Sequence, residues 1–374
     1  MTKKVLWICL SIFGMLFSNK LSDHRETLVY EKVFHALSLK EKIAQMLMVY
    51  MPHEEYIVEH QFGAVLVMKP HLKDTIAFKK TIRNTNTRLK IPLFVAIDQE
   101  GGFVNRLASI DSKWKSLPSA YEMRLWNLEK IDSVAIQTAI ALKNLGINLN
   151  LAPVLDPATD FKGKKTFMEV SKRSWGDLDS NSYLKPQQFV KSLSKHGVAS
   201  VSKHFPGYDS WTNSDHQISL SISPTEQIQK NIQVFELLGT DIPFIMMSSV
   251  RFSKISIAPA VFDSNLVSKA KKINPEAVIL TDDLWGASLR SWISGKKSVQ
   301  KNYPKADFER LIIKSIDAGN DMLMITYPAK AVEIIEFLEN LAQKDARYKQ
   351  KLEDSAYKIL KAKYRLGVWK DGLD

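Results

Sequence analysis

Short, largely apolar runs recur along the chain, and each ends in polar residues, glycine or proline. The runs are rich in β-branched residues and methionine, and they do not alternate regularly between apolar and polar positions. Such continuous apolarity is typical of strands that are buried on both faces of a parallel sheet. Eight strands are predicted in this way, over residues 43–49, 64–68, 93–97, 147–151, 198–201, 242–247, 277–280 and 322–325.

Helix-like segments lie between these strands, over residues 132–145, 224–238 and 307–318 among others. The chain thus alternates eight strands with helices, and eight is the number of strands that closes a (β/α)8 barrel, also called a TIM barrel. No linker rich in proline, glycine or serine divides the chain. We therefore predict a single α/β barrel domain over residues 21–374, with a C-terminal helix over 345–366. An open doubly wound sheet is the competing fold, but no G-x-G-x-x-G motif follows the first strand.

The N-terminal residues have the pattern of an export signal. Lys3 and Lys4 precede an apolar run over 5–17, which is shorter than the roughly 20 residues needed to span a bilayer. We expect residues 1–20 to be a signal peptide and the protein to be exported, to the periplasm or the cell exterior. Contact with a membrane is expected only if this segment stays uncleaved. Cys9 is the only cysteine, so no disulfide is expected in the mature chain.

The composition is that of a globular protein with a basic surface. Of 374 residues, 45% are hydrophobic and 25% are charged, and the formal net charge is +12. This charge favours an anionic partner such as a cell-wall polymer, a nucleic acid or a membrane surface. The alternative is a solvated basic surface without such a partner. The lysines are scattered and form no arginine-rich patch interleaved with aromatic residues, so we do not expect nucleic-acid binding.

Polar and charged residues follow the predicted strands from the third onward. In a (β/α)8 barrel the functional groups lie at the carboxyl ends of the strands, so these side chains are expected to converge on one face. Carboxylates, lysine, arginine and histidine gathered there suit a ligand with many hydroxyl groups. The residues are Asp98, Asp156, Arg173, Lys203, His204, Asp215, His216, Ser248, Ser249, Thr281, Asp282, Asp283 and Thr326.

The histidines carry no metal-binding signature. The eight histidines show neither H-x₃-H nor H-E-x-x-H spacing, and no cysteine remains once the N-terminal segment is removed. We therefore expect neither a metal nor another cofactor.

Eight stretches of the chain carry a resemblance to a known family. In order, they are LSLKEKIAQMLMV, FVAIDQEGGFVNRL, LNLAPVLD, KRSWGD, SKHFPG, PAVFDSNLV, VILTDDLWGAS and DAGNDMLMI, and they extend from residue 37 to residue 325. Together they resemble family 3 glycoside hydrolases of the bacterial β-N-acetylglucosaminidase branch. The resemblance implies a (β/α)8 barrel, in agreement with the strand pattern. It also implies a retaining exo-glycosidase that releases terminal β-linked N-acetylglucosamine from cell-wall fragments or related oligosaccharides.

The resemblance assigns roles to five of the strand-end residues. Asp282 matches the family nucleophile. A carboxylate at this place can attack the anomeric carbon and form a covalent glycosyl-enzyme. The alternative interpretation of Asp282 is that it caps the next helix. Asp98, Arg173, Lys203 and His204 match the residues that hold the terminal sugar. Their hydrogen bonds to hydroxyl groups are charge-assisted and therefore about twice as strong as neutral ones.

The acid/base is the point at which this chain departs from the pattern. The branch uses a histidine on the loop after the fifth strand, supported by an aspartate two residues before it. His216 matches the histidine, but Ser214 stands two residues before it and Asp215 is adjacent. The resemblance therefore implies His216 as acid/base, oriented by Asp215 or by Asp209, or else an impaired pair.

Three functional hypotheses remain open at this point. The first is a β-N-acetylhexosaminidase with a carbohydrate substrate. The second is another family 3 activity, either a β-glucosidase or a phosphate-using glycoside phosphorylase. The third is a barrel that binds glycan and has lost turnover, which the altered spacing before His216 favours and the intact Asp282 opposes.

Overall fold

Eight parallel strands form one sheet that closes on itself. The computed structural model describes residues 30–296 and 303–369. Each strand pairs with the next along the chain, and β8 pairs with β1 through Leu47 opposite Leu323. A bridge between Leu280 and Met322 joins the seventh strand to the eighth. The strands are β1 Leu47–Tyr50, β2 Ala64–Val67, β3 Phe94–Ile97, β4 Leu149–Asn150, β5 Ala199–Phe205, β6 Phe244–Met247, β7 Val278–Leu280 and β8 Leu323–Ile325.

The closed sheet confirms the predicted (β/α)8 barrel. Helices follow the strands around its outside, as the alternating pattern requires. The C-terminal helix predicted over 345–366 is also present, with the Asp345 side chain accepting the Arg347 amide at its start. The helices are α1 Leu39–Gln45, α2 Glu54–His60, α3 Thr75–Arg88, α4 Ala120–Met123, α5 Leu128–Asn144, α6 Phe167–Val170, α7 Leu184–Lys195, α8 Thr225–Leu238, α9 Ser264–Ile273, α10 Ala287–Ser294, α11 Lys305–Ala318, α12 Pro328–Lys344 and α13 Ala346–Arg365.

The barrel strands are buried on both faces, which explains their continuous apolarity. Every residue of β2 and β3 is buried. Inside the barrel, the rings of Phe94 and Phe244 meet edge to face with their centroids 5.1 Å apart. Each such side chain contributes about 1.5–3 kcal/mol through burial. This packed core fixes the positions of the strand ends.

The first predicted strand, over 43–49, was wrong in its first half. Residues 43–45 belong to α1, and the strand begins only at Leu47. Ser38 and Glu41 form a capping box, in which Glu41 accepts the Ser38 amide at 2.8 Å, and this starts the helix. The apolar run thus spans a helix end and a strand, and apolar periodicity alone does not separate the two.

The fifth strand is longer than predicted. The pattern predicted it over 198–201, whereas β5 extends from Ala199 to Phe205 and all of its residues are buried. Lys203 and His204 therefore lie inside the strand and not just beyond it. A register shift interrupts the pairing with β6 between Lys203 and Phe205, and the Lys203–His204 peptide is cis. Burying these polar side chains requires partners from other strands.

The predicted signal peptide, residues 1–20, lies outside the described residues. Within the described ranges, no helix combines the length and the apolar character needed to cross a membrane.

Candidate active site

A cavity of about 340 Å³, which we call the main cavity, lies at the carboxyl ends of the barrel strands. It brings together every residue predicted to hold a sugar and the predicted nucleophile. Apolar side chains from the barrel strands, among them Met246 and Met324, line its inner part. A larger cavity of about 640 Å³ lies between α11 and α12, away from the strand ends, and contains no predicted site residue. The predicted residues that line the main cavity are Asp98, Arg173, Lys203, His204 and Asp282.

Glu100 is the centre of a buried ion-pair network beside this cavity. Arg173 donates to both of its carboxylate oxygens, from Nε and from Nη2, at 2.8 Å each. The Nζ of Lys203 lies 2.7 Å from Glu100 Oε1 and also donates to Asp98 Oδ1 at 2.7 Å. Only 5% of the Glu100 side chain is exposed. The network holds Asp98, Arg173 and Lys203 in one fixed arrangement.

The network also fixes the charges of its members. Burial alone raises the pKa of Glu100, but Arg173 and Lys203 outweigh it and hold this pKa well below its usual range. Burial alone lowers the pKa of Lys203, but Asp98 and Glu100 outweigh that effect and raise it. Glu100 was not predicted as a site residue. In the sequence Glu100 is only a second carboxylate two residues after Asp98, and its role becomes visible through the buried lysine and arginine that both pair with it.

We expect Glu100→Gln to destabilise the fold by about 3–5 kcal/mol, because it leaves two buried cations without their shared anion. Urea denaturation followed by circular dichroism measures the free energy of unfolding of both proteins. Since the pKa of Glu100 is lower in the folded protein, its contribution is present above the ordinary glutamate pKa of about 4.3 and is lost as the pH falls. The difference in free energy of unfolding between the wild-type protein and Glu100→Gln should therefore become smaller in acid.

Glu55→Gln is the matched control for this experiment. Glu55 also pairs with an arginine through two hydrogen bonds, at 2.6 and 2.7 Å to Arg88, but on the surface. Solvent screens such a pair, so its loss should change stability little. Equal effects of Glu100→Gln and Glu55→Gln would contradict the role given to the buried network.

His204 is held by Asp156 in a single orientation. His204 Nδ1 lies 2.7 Å from Asp156 Oδ2, and Asp156 Oδ1 accepts the backbone amides of His204 and Tyr208 at 3.0 and 2.7 Å. Because an ionised carboxylate only accepts, Nδ1 carries the proton and donates it in this bond. The other ring nitrogen, Nε2, is then free to contact a ligand in the main cavity. Asp156 thus positions His204 as well as its own turn.

Asp282 follows β7 and has a hydrogen bond to each carboxylate oxygen. The Ser249 hydroxyl donates to Oδ2 at 2.7 Å, and the Asp283 amide donates to Oδ1 at 2.8 Å. The next helix, α10, has Gly286 at its N-cap and no side-chain cap, so Asp282 does not cap it. Asp282 is therefore a held carboxylate that faces the cavity. Ser249 was noted in the sequence only as a strand-end residue.

Asp283 ties the ends of two strands together. It accepts the Thr326 amide at 3.0 Å, the Thr326 hydroxyl at 2.6 Å and the Trp285 amide at 3.0 Å. Burial raises the pKa of Asp283. These bonds support the turn that carries Asp282.

The loop after β5 places Asp215 and His216 differently. Asp215 lines the main cavity and also a smaller one of about 270 Å³ next to it, which we call the adjoining cavity. His216 is exposed and lines neither. The Asp215 amide donates to Asn213 Oδ1 at 2.9 Å, which fixes the turn. Among the described residues, no hydrogen bond joins the His216 side chain to Asp215 or Asp209.

Asp209 belongs to the same loop but is only 4% exposed. Burial raises the pKa of Asp209, and the hydroxyl groups of Ser223 and Ser221 offset this only in part. The structure thus brings Asp98, Arg173, Lys203, His204 and Asp282 together with Asp215. It does not bring His216 into contact with them. Across the described ranges, no three His, Cys, Asp or Glu side chains are grouped so that they could hold a metal ion.

Solved structures share this architecture. The β-N-acetylhexosaminidase from Beutenbergia cavernae has a TM-score of 0.74 and 24% identity, with 87% of this chain and 98% of that chain covered. A family 3 β-N-acetylglucosaminidase from Paenibacillus sp. has a TM-score of 0.75 and 21% identity, with 90% and 64% covered. These likenesses support the barrel fold.

Curated relatives agree with the structural comparison. A β-hexosaminidase from Bordetella pertussis is 25% identical over 291 residues, which cover 74% of this chain and 76% of the relative. A β-hexosaminidase from Shewanella frigidimarina is 27% identical over 280 residues, or 68% and 75% of the two chains. Residues 38–362 match the sequence profile described as "Glycosyl hydrolase family 3 N terminal domain". This match covers most of the chain, and the chain therefore belongs to glycosyl hydrolase family 3.

Proposed function

We propose that this protein is a retaining, exo-acting β-N-acetylhexosaminidase that releases terminal β-linked N-acetylglucosamine. The observation that carries the proposal is the main cavity, where the Asp282 carboxylate faces the polar set of Asp98, Arg173, Lys203 and His204. The relatives named β-hexosaminidase support the choice of sugar.

The polar set accounts for binding of a terminal sugar. Asp98 accepts hydrogen bonds from hydroxyl groups, and Lys203 donates to them while the Glu100 network holds both in place. Because Asp156 takes up Nδ1 of His204, the other ring nitrogen, Nε2, is left to form a hydrogen bond with the sugar. Charged hydrogen-bonding groups held before the ligand arrives need no reorganisation, which favours tight binding of one sugar.

The proposed reaction has two displacements. A carboxylate oxygen of Asp282 forms a bond to the anomeric carbon while the glycosidic C–O bond breaks, and its electron pair remains on the leaving oxygen. That oxygen takes a proton from the acid on the loop after β5, either Asp215 or His216. Water then attacks the glycosyl-enzyme and returns a proton to the same group, which releases the sugar and restores the Asp282 carboxylate. Two inversions give net retention.

The natural substrate is proposed to lie outside the cytoplasm. The export pattern of residues 1–20 and the net charge of +12 favour an acidic polymer or its fragments. Fragments of the bacterial cell wall that end in N-acetylglucosamine combine these properties, and we propose them as the substrate class.

A chromogenic assay tests the function directly. The 4-nitrophenyl N-acetyl-β-glucosaminide should be hydrolysed much faster than the matching β-glucoside, and the first-formed sugar should be the β-anomer by proton NMR. Turnover that requires phosphate and yields a sugar 1-phosphate would identify a phosphorylase instead. Binding of N-acetylglucosamine without turnover of any of these substrates would overturn the proposal and favour a non-catalytic glycan-binding barrel.

A further inference from the structure

The segment over residues 218–223 exposes its apolar side chains and buries its polar ones. It contains a short strand, Leu220–Ser221, which pairs in parallel with Arg251–Phe252. The serines of the segment are buried, which is the reverse of the usual pattern for a strand at a protein surface. The exposed side chains, which we call the outward row, are Ile218, Leu220 and Ile222, with exposed fractions of 37%, 39% and 51%.

The buried serines have partners inside the loop that follows β5. Ser219 Oγ donates to the Thr212 carbonyl at 3.2 Å and lies 3.1 Å from the Tyr208 hydroxyl oxygen. The hydroxyl groups of Ser221 and Ser223 lie beside the buried Asp209 carboxyl group. These contacts explain the inward side of the segment. They do not explain the outward row, which no side chain of the described ranges covers.

Two cations lie beside the outward row. Arg251 is the register partner of Leu220, so the two side chains share one face of the strand pair. Lys254 is exposed in the turn that begins at Ser253, whose amide donates to the Ser221 carbonyl at 3.0 Å. Arg251 Nε has no hydrogen-bond partner, and within the described part of the chain neither cation forms an ion pair. Both charges are therefore available to an external anion.

Two further apolar side chains project from the same surface. Ile257, in the turn that carries Lys254, is 89% exposed. Trp211 is also exposed, and the neighbouring Thr212 hydroxyl donates to Ser219 Oγ at 2.9 Å. Neither these side chains nor the outward row line the main cavity or the adjoining cavity. The surface is therefore separate from the sugar site.

Projecting aliphatic side chains beside unpaired cations suit an anionic lipid surface. The aliphatic groups enter the boundary between headgroups and acyl chains, and the cations attract the lipid phosphates. Tryptophan favours the same boundary. The formal net charge of +12 attracts an anionic bilayer, whereas it repels a second copy of this chain. Charge complementarity thus favours lipid over self-association.

We propose that the outward row, with Arg251 and Lys254 beside it, docks this protein onto an anionic membrane surface. The contact needs no part of residues 1–20, and it goes beyond the proposed function. Because the segment belongs to the loop that also carries Asp215, docking holds the mouth of the main cavity close to the bilayer.

Co-sedimentation with lipid vesicles tests this inference. The chain from residue 21 onward, which contains the whole closed barrel, should bind vesicles of phosphatidylglycerol and phosphatidylcholine. It should bind vesicles of phosphatidylcholine alone at least about tenfold more weakly. Leu220→Ser combined with Ile222→Ser should lower the partition coefficient for the anionic vesicles at least about tenfold, because the apolar area that enters the bilayer is lost. Arg251→Gln and Lys254→Gln should each lower it about fivefold, and added salt should reduce that difference.

Ile76→Ser is the matched control, since Ile76 is 78% exposed but lies on α3. Failure of the wild type to bind anionic vesicles would overturn the inference, as would equal losses in Ile76→Ser and in the double variant. Arg251→Gln tests the same surface if urea denaturation shows the double variant to be unfolded, and unchanged binding in Arg251→Gln would also count against docking.

Light scattering at increasing protein concentration tests the competing occupant. A dimer that the double variant abolishes would assign the outward row to a second copy and overturn docking on lipid. A monomer throughout is the expected result. None of these measurements requires hydrolysis, so their outcome is independent of the proposed function.

Discussion

Replacing Asp282 by alanine is expected to lower kcat/KM for the chromogenic N-acetyl-β-glucosaminide by at least about 10³-fold, because it removes the carboxylate proposed to form the covalent intermediate. The fold should persist, since Asp282 is partly exposed and its two hydrogen bonds come from the Ser249 hydroxyl and the Asp283 amide at the cavity surface. Steady-state kinetics and urea denaturation measure the two effects separately.

Rescue by a small anion adds a stereochemical test of the same assignment. With the carboxylate removed, azide can enter from the face that Asp282 occupied and displace an activated leaving group in one inversion. The product should be the α-glycosyl azide. Asp111→Ala, at an exposed aspartate outside both cavities, serves as the control and should leave kinetics unchanged. Substantial activity of Asp282→Ala without azide would show that the nucleophile lies elsewhere.

The barrel could be predicted from the sequence because its signal is local. Each buried strand appears as one apolar run, and the polar residues that follow it are read directly from the chain. Asp98, Asp282 and Arg173 could be placed at one face for this reason, and the structure brings them together around one cavity. Local patterns were less reliable where an apolar run continues from one element into another, as at Ile43, or where a strand buries charge, as at Lys203.

The parts that were missed depend on distant partners. Glu100 matters because Lys203 and Arg173 reach it from other strand ends, and no spacing along the chain predicts that contact. There the sequence supplies a charge, and only the fold shows whether that charge has a partner.

The proton donor gives the second large expected effect, and the structure favours Asp215 over His216 for it. Both residues are exposed, but Asp215 lines both cavities beside Asp282, whereas His216 lines neither. For a substrate with an unactivated leaving group, we expect Asp215→Asn to lower kcat/KM by about 10²–10⁴-fold, the usual contribution of general acid catalysis. The corresponding loss in His216→Gln should be smaller.

The dependence of the Asp215→Asn rate on the leaving group distinguishes acid catalysis by Asp215 from a purely structural role. A 2,4-dinitrophenyl leaving group departs without a proton, so the first displacement in Asp215→Asn should remain fast and only breakdown of the glycosyl-enzyme should slow. Azide should then accelerate turnover and give the β-glycosyl azide, because it attacks the intermediate from the side that Asp215 has vacated. Equal losses for activated and unactivated substrates would mean that Asp215 merely supports the loop. If His216→Gln alone shows the leaving-group dependence, the proton comes from His216, as the family resemblance implies, and a movement of residues 208–216 must bring it into the cavity during the reaction.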